Sequence, residues 1–242
     1  MLPVTVVVPV LRRPHHAEPF MTSIRSASSP RCPLVLAVAN RDDRATAAAW
    51  RRAGATIVWC DEAPGSFAQK VNLVARIVGR HTDWLFLTGD DVRFHDGWID
   101  AALDGLPEGA RVVGVSEIPD DAELDRRFIS TDYEAYLRTA DHTNHMFVAT
   151  DYIAAEGASW DGPGTTCGPY RHWWTNNELI AVAKQRGVWE ARPDSVVEHL
   201  HPYFGKGQMD ATYALGESAV QADHTLWMER VTKFAPELLE TP

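Results

Sequence analysis

Four short apolar runs constrain this chain more than any other feature: "VTVVV" at 4–8, "LVLAVA" at 34–39, "TIVW" at 56–59 and "WLFL" at 84–87. Each is too short for a buried helix and is bounded by turn-forming or charged residues, the pattern of strands covered on both faces. Helical segments lie between them. Arg44 to Ala53 is helical in composition and ends at Gly54. Ser66 to Val78 carries Phe67, Val71, Val74, Ala75 and Val78 close to helical spacing and stops at Gly79. Alternating strands and helices predict an α/β fold, a mostly parallel open sheet flanked by helices and joined by right-handed crossovers. In such sheets ligands bind outside the carboxyl ends of the strands. Pro9, the group Asn40 to Asp43, and Asp90-Asp91 all fall at those ends.

The second half is less regular. Val112 to Val115, Met146 to Ala149 and Ser195 to His199 read as further strands, and Asp120 to Asp141 as a charged helix or excursion. "GASWDGPGTTCG" at 157–168 holds too many glycines for an element and reads as a loop, followed by a helix from Asn177 to Arg186 that stops at Gly187. The organisation expected is a first lobe over 1–115, a second over 116–205 on the same sheet, and a helical tail over 206–242 packed on the domain. With 242 residues, 45% of them hydrophobic, the chain can bury a substantial core. A formal charge of -10 argues against a general polyanion-binding surface, although the pairs Arg12-Arg13 and Arg126-Arg127 can touch phosphates locally. Cys32, Cys60 and Cys167 form no Cys-x-x-Cys pair, so neither a disulfide framework nor a thiolate zinc site is indicated. The apolar run Val4 to Leu11 is too short to span a bilayer and has no basic segment before it, so a cytoplasmic protein with no membrane partner is expected.

"WLFLTGDDV" is the most informative stretch. An apolar strand ending in two adjacent carboxylates is unfavourable unless a cation sits there. The ordinary alternative is a Gly-Asp-Asp turn. The functional reading is a metal–diphosphate site, in which Asp91 binds the ion and Asp90 accepts from a sugar or ribose hydroxyl or holds a metal-bound water. A second ligand is then needed. In "VEHLHP", His199 and His201 point to one side of an extended chain, and an imidazole beside a carboxylate tilts the choice from magnesium toward manganese. Of the two, His199 is preferred. A histidine pair packed at a strand end is the plain alternative.

In their order, "VTVVVPVL", "LAVANRDD", "GSFAQKVN", "LFLTGDDV", "GASWDGP", "NNELIAVAKQRG" and "VVEHLHP" resemble a GT-A fold glycosyltransferase of the large family two type over residues 3–202. The tail "HPYFGKGQMDATYALGES" is similar to glycosyltransferases of tailed bacteriophages of actinobacteria. The resemblance implies a Rossmann-like GT-A sheet with an acceptor-side second lobe, a nucleotide-sugar donor (a UDP-sugar before a GDP-sugar), and Mn2+ or Mg2+ on the diphosphate. It sets Pro9, Val10, Asn40 and Asp42 toward the nucleoside, and Lys70 and Asn72 near the diphosphate or the loop that covers it. The acceptor stays open between a glycan, a protein and a modified base in phage nucleic acid, the last placing the protein in a host cytoplasm.

The chain departs from the family in two places. Thr88 and Gly89 stand where a further acid is common, and Asn176 stands where a base aspartate usually lies. An amide cannot take the acceptor's proton. Glu178 serves instead, or Asp161 does, or the enzyme retains configuration and needs no such base; Glu178 also reads plainly as a dipole-favoured acid at a helix start. Trp160, Trp173 and Trp174 read as sugar-stacking faces or core anchors, and His142 and His145 as polar lining. Two other functions remain: a sugar nucleotidyltransferase, disfavoured because "PVLRRPHH" offers no glycine loop after the first strand, and a binding module without turnover.

Overall fold

The computed structural model describes residues 4–28, 32–61, 66–119, 122, 124 and 129–239. Arg126-Arg127 and much of the segment 120–128 lie outside the described residues. In chain order the elements are β1 (Val4–Val10), α1 (Ala17–Ala27), β2 (Leu34–Asn40), α2 (Arg44–Arg52), β3 (Thr56–Cys60), α3 (Phe67–Val78), β4 (Trp84–Leu87) and β5 (Val92–Phe94). They continue as α4 (Trp98–Leu103), β6 (Val112–Ser116), α5 (Thr131–Arg138), β7 (Met146–Ala149), α6 (Thr150–Ala155), α7 (Thr175–Gln185), β8 (Trp189–His199), α8 (Ala211–Glu217) and α9 (Val220–Phe234). Among the described residues the strands form one sheet in the order β3-β2-β1-β4-β7-β6-β8-β5.

The first half follows from local chemistry. β1, β2 and β4 are buried almost throughout, as runs covered by helices on both faces must be. β2, β1 and β4 pair in parallel in that order, and β3 continues outward from β2. Asp43 caps α2 by accepting the Thr46 N–H, and α3 turns its Ala68, Val71, Val74 and Val78 inward before Gly79, at a φ of +46°, ends it. An aromatic cluster fastens the centre: Phe86 packs on Phe147 and Trp98 with ring centroids 4.6 and 4.7 Å apart.

In the second half the sheet stops being parallel. β7 runs antiparallel to both β4 and β6, while β6 and β8 pair in parallel. Two features depart from the sequence expectation. β8 begins at Trp189 rather than Ser195, because the chain tolerates Pro193 by shifting register between Val115 and Ser116, whose partners are Arg192 and Val196. β5, three residues directly after the acid pair, adds an antiparallel edge to β8. The tail folds as α8 and α9. Asp223 of α9 accepts from the backbone N–H groups of Arg171, His172 and Trp173 at 2.9–3.0 Å, which ties that helix to the body.

Candidate active site

Register alone assembles one corner of the molecule. Pairing Leu87 with Met146 sets His145 beside the residues that follow β4, and pairing Val92 with His199 sets the end of β8 beside Asp91. The Leu200 N–H donates to the Asp91 carbonyl at 2.7 Å and the His199 N–H to the Glu117 carbonyl at 3.0 Å. The ends of β4, β6 and β8 and the start of β7 therefore meet at a cavity of about 460 Å³, lined among others by Pro9, Arg13, Lys70, Asp90, Asp91, His145, His199, His201 and Tyr213.

Both carboxylates are buried and each has its own cation. Arg13 donates from Nη1 to Asp90 at 2.9 Å and from Nε and Nη2 to Asp210, the N-cap of α8, at 2.7 and 2.9 Å. His199 Nε2 lies 3.4 Å from Asp91 Oδ2, and its Nδ1 lies 2.8 Å from Glu117 Oε2. The Tyr213 hydroxyl donates to Asp91 Oδ2 at 2.7 Å. Burial alone would lower the His199 pKa, but the Asp91 charge and the hydrogen bonds to Asp91 and Glu117 outweigh it and lift it to about 10. Burial would likewise raise Asp91, and the His199 charge with the His199 and Tyr213 hydrogen bonds holds it well below the usual carboxylate range. Gly89 is required here: a Cβ at that position would come within 2.6 Å of Asp91 Oδ1. A third acid at 89 is thus incompatible with the Asp91 carboxylate as it stands.

Lys70 is buried on α3 and donates to the Val10 carbonyl at 3.0 Å, with burial pushing its pKa down to about 8. His201 lines the cavity, but its Nδ1 accepts the Tyr203 N–H at 3.2 Å; burial, then the His199 charge, push its pKa to about 4. His145 is fully buried, its pKa pushed to about 4 by burial, with Nδ1 3.2 Å from the Thr88 hydroxyl and no hydrogen-bond partner on Nε2.

Several expected site residues stand elsewhere. Glu178 is fully buried and accepts from Arg230 Nε and Nη2 at 2.6 and 2.7 Å, from the Tyr170 hydroxyl at 2.8 Å and from the Trp160 N–H at 3.2 Å. Asp161 pairs with Arg230 Nη1 at 2.9 Å. Neither lines the cavity, so an ion-pair anchor for α9 replaces the expected proton acceptors. Asn72 holds the glycine-rich loop through Thr166 and Cys167 and does not reach the cavity. Val10 contributes its carbonyl to Lys70, while Asn40 and Asp42 sit at and beyond the end of β2, outside the cavity lining. Trp160 stacks between Trp227 and Phe234, and Trp173 alone of the three tryptophans faces the cavity. Glu117, Tyr213 and Asp210 were not legible as site residues. An acid directly after a strand, as at Glu117, is the one local signal they offered.

The donor set suits a hard or borderline dication. Asp91 Oδ2 and His199 Nε2 are 3.4 Å apart on the cavity wall, close to the ~3 Å that separates adjacent ligands of an ion bound at about 2.1 Å. Oxygen plus imidazole nitrogen fits manganese as well as magnesium. Glu117, His145 and His199 form a second buried group with ligand atoms within 4.8 Å of one another.

A sheet of this order and its flanking helices are a GT-A-type α/β fold, shared with solved sugar-3-phosphoglycerate synthases. Among solved structures, mannosyl-3-phosphoglycerate synthase from Rubrobacter xylanophilus is similar with a TM-score of 0.60, covering 97% of this chain and 76% of that one at 13% identity. Glucosyl-3-phosphoglycerate synthase from Mycobacterium tuberculosis, in complex with Mn2+, UDP and glucosyl-3-phosphoglycerate, is similar with a TM-score of 0.56, covering 90% of this chain and 77% of that one at 11% identity. The same enzyme with Mg2+ and UDP gives 0.53, covering 83% and 72% at 13% identity. At such identities the likeness is one of fold. No protein-family model and no curated protein matches the sequence. Among the described residues no helix is long and apolar enough to cross a membrane.

Proposed function

We propose that this chain is a metal-dependent glycosyltransferase that moves a sugar from a nucleotide-sugar, a UDP-sugar before a GDP-sugar, to a hydroxyl-bearing acceptor. The observation that carries this reading is the Asp91–His199 pair, 3.4 Å apart in a cavity at the carboxyl end of β4. The solved neighbours support it, since two of them are complexes with UDP and Mn2+ or Mg2+. Asp91 and His199 would hold the dication, with His201 beside them. When bound, the ion supplies positive charge that stabilises the departing nucleoside diphosphate.

The chain's own residues do the rest. Lys70 keeps two N–H donors beyond its bond to Val10 and offers them to phosphate oxygens. Asp90, held by Arg13, accepts a donor hydroxyl. Residues 1–115 serve the donor, 116–205 the acceptor, and α8 of the 206–242 tail closes the cavity wall. Tyr133, Trp173 and Phe204 give the acceptor end aromatic faces, and Asn144 and Asn176 give it amides, a lining suited to a sugar ring. Among the described residues the carboxylates lining the cavity are Asp90, Asp91 and Glu217, of which Glu217 is exposed and accepts the Tyr203 hydroxyl. With no other carboxylate on the acceptor side, transfer with retention of configuration is the outcome we assign.

Incubation with Mn2+ and a panel of labelled nucleotide-sugars tests the reading. Slow release of nucleoside diphosphate to water supports transfer. Pyrophosphate chemistry would point instead to a sugar nucleotidyltransferase, and tight binding without turnover to a binding module.

A further inference from the structure

We propose that Glu117 is the positioning residue of the metal site: its buried carboxylate fixes the His199 imidazole with Nδ1 as donor, so that Nε2 presents its lone pair beside Asp91. The inference rests on the metal reading above and adds to it a residue outside the cavity lining.

Glu117 stands one residue past β6 and is fully buried. Its Oε1 accepts from the Thr143 hydroxyl at 3.0 Å and from the Asn144 N–H; its Oε2 accepts from Asn144 Nδ2 at 3.0 Å and from His199 Nδ1 at 2.8 Å. Both carboxylate oxygens are therefore held, by the Asn144 N–H on Oε1 and by Asn144 Nδ2 and His199 Nδ1 on Oε2, while the single Thr143 hydroxyl proton is shared between Oε1 and the His145 carbonyl at 2.9 Å. The loop that supplies three of these donors is itself closed by the His145 N–H donating to the Thr143 hydroxyl at 3.0 Å. A backbone bond of 3.0 Å from the His199 N–H to the Glu117 carbonyl ties the two residues a second time. The His145 ring meets the His199 ring edge to face, with centroids 4.7 Å apart.

This arrangement decides between two metal sites. Glu117, His145 and His199 are near enough to form a ligand set of their own. An ion there would need a free acceptor position on Glu117 and the nitrogen of His199 that already faces it, and both are engaged. The carboxylate–imidazole pair instead has the form in which an outer carboxylate orients a ligating histidine and raises its basicity. His145 then acts as a wall beside the ligand, and Nε2 of His199 as the ligand atom, shared with Asp91.

Two measurements test this. The first is Mn2+ affinity without nucleotide, read by electron paramagnetic resonance, for the wild-type protein and the isosteric Glu117→Gln variant, with circular dichroism as the check on folding. Glutamine places an N–H group among donors, so an affinity loss of about ten- to a hundredfold is expected in folded protein; unchanged affinity would overturn the proposal. The second needs no variant: nitrogen NMR of wild-type protein loaded with cadmium as a diamagnetic stand-in identifies the ligated nitrogen. Ligation through Nε2 with a proton retained on Nδ1 is expected, and ligation through Nδ1 would establish the inner set in its place. Wild-type protein that takes up neither ion would bring down the metal reading itself, an outcome distinct from equal binding by wild type and variant.

Discussion

Glu178→Gln distinguishes a structural carboxylate from a catalytic one, because the two roles place the loss in different observables. In the structure both oxygens of Glu178 are used by Arg230, Tyr170 and the Trp160 backbone, and the side chain has no exposed surface. Removing one partner of a buried ion pair costs about 3–5 kcal/mol. The lower end applies, since Arg230 keeps Asp161 at 2.9 Å and glutamine keeps a carbonyl for one of the donors. About 3 kcal/mol in a chain of 242 residues corresponds to a fall in thermal midpoint of about 6–12 °C. A base that takes the acceptor's proton is worth about 10²–10⁴-fold in rate. The expected result is a midpoint lowered by that amount in differential scanning calorimetry, with donor hydrolysis at 15 °C below the midpoint, a temperature of about that order, within threefold of wild type. A hundredfold loss of rate with an unchanged midpoint would refute the placement of Glu178 as an anchor and restore it as the base.

Asp91→Asn is expected to abolish Mn2+-supported nucleoside diphosphate release, read by a coupled assay at a temperature where circular dichroism shows the variant folded, since it also breaks a buried pair with His199 and lowers the midpoint; wild-type turnover would remove Asp91 from the site. In Mn2+ titrations His199→Ala should weaken binding more than His201→Ala, since His201 already spends Nδ1 on the Tyr203 N–H; equal losses would mean both imidazoles ligate. Lys70 has a folded pKa lowered by burial from 10.5 to about 8, so between those values the unfolded chain binds the extra proton and stability rises with pH, by about 3 kcal/mol in all. Urea melts of wild type and Lys70→Met across pH 7.5–10.5 should differ by that slope, the variant lacking it, and parallel curves would place the Lys70 ammonium in solvent. Proton NMR of the transferred sugar should show the donor's anomeric configuration, and the opposite anomer would overturn the assignment of retention.

The legible part of the fold was the part specified by local pattern. β1, β2 and β4 announce themselves because each is covered on both faces and apolar along nearly its whole length, β3 as a short β-branched run at the sheet edge, and α2 and α3 because their stops are glycines. β5 was missed since three residues, one of them the exposed Arg93, carry no period. The true start of β8 was hidden by Pro193-Asp194, which reads as a break until the bulge opposite Ser116 makes room for it. In the candidate site, Asp91 and His199 are singled out by sequence because strand ends in a parallel sheet are where ligands sit, and the structure places them 3.4 Å apart. The role of Glu178 stays open in the sequence because a helix-start acid looks the same whether it faces a substrate or Arg230, which lies 52 residues further on.

The acid pair requires a cation, and the chain itself supplies two: Arg13, 77 residues before Asp90, and the imidazolium of His199. Under the proposed metal reading, a dication held by Asp91 and His199 Nε2 would replace the His199 proton and would not add charge to an uncompensated pair. Arg13 remains on Asp90 throughout, because its other two donors are held by Asp210 and its guanidinium lies 3.7 Å from the Tyr213 ring. The two acids are thus unequal in kind: Asp90 is neutralised permanently by the fold, and Asp91 by a proton that a metal can replace. That inequality explains how two adjacent buried carboxylates can stand after a strand, and under the proposed metal reading it favours the second of them as the ligand.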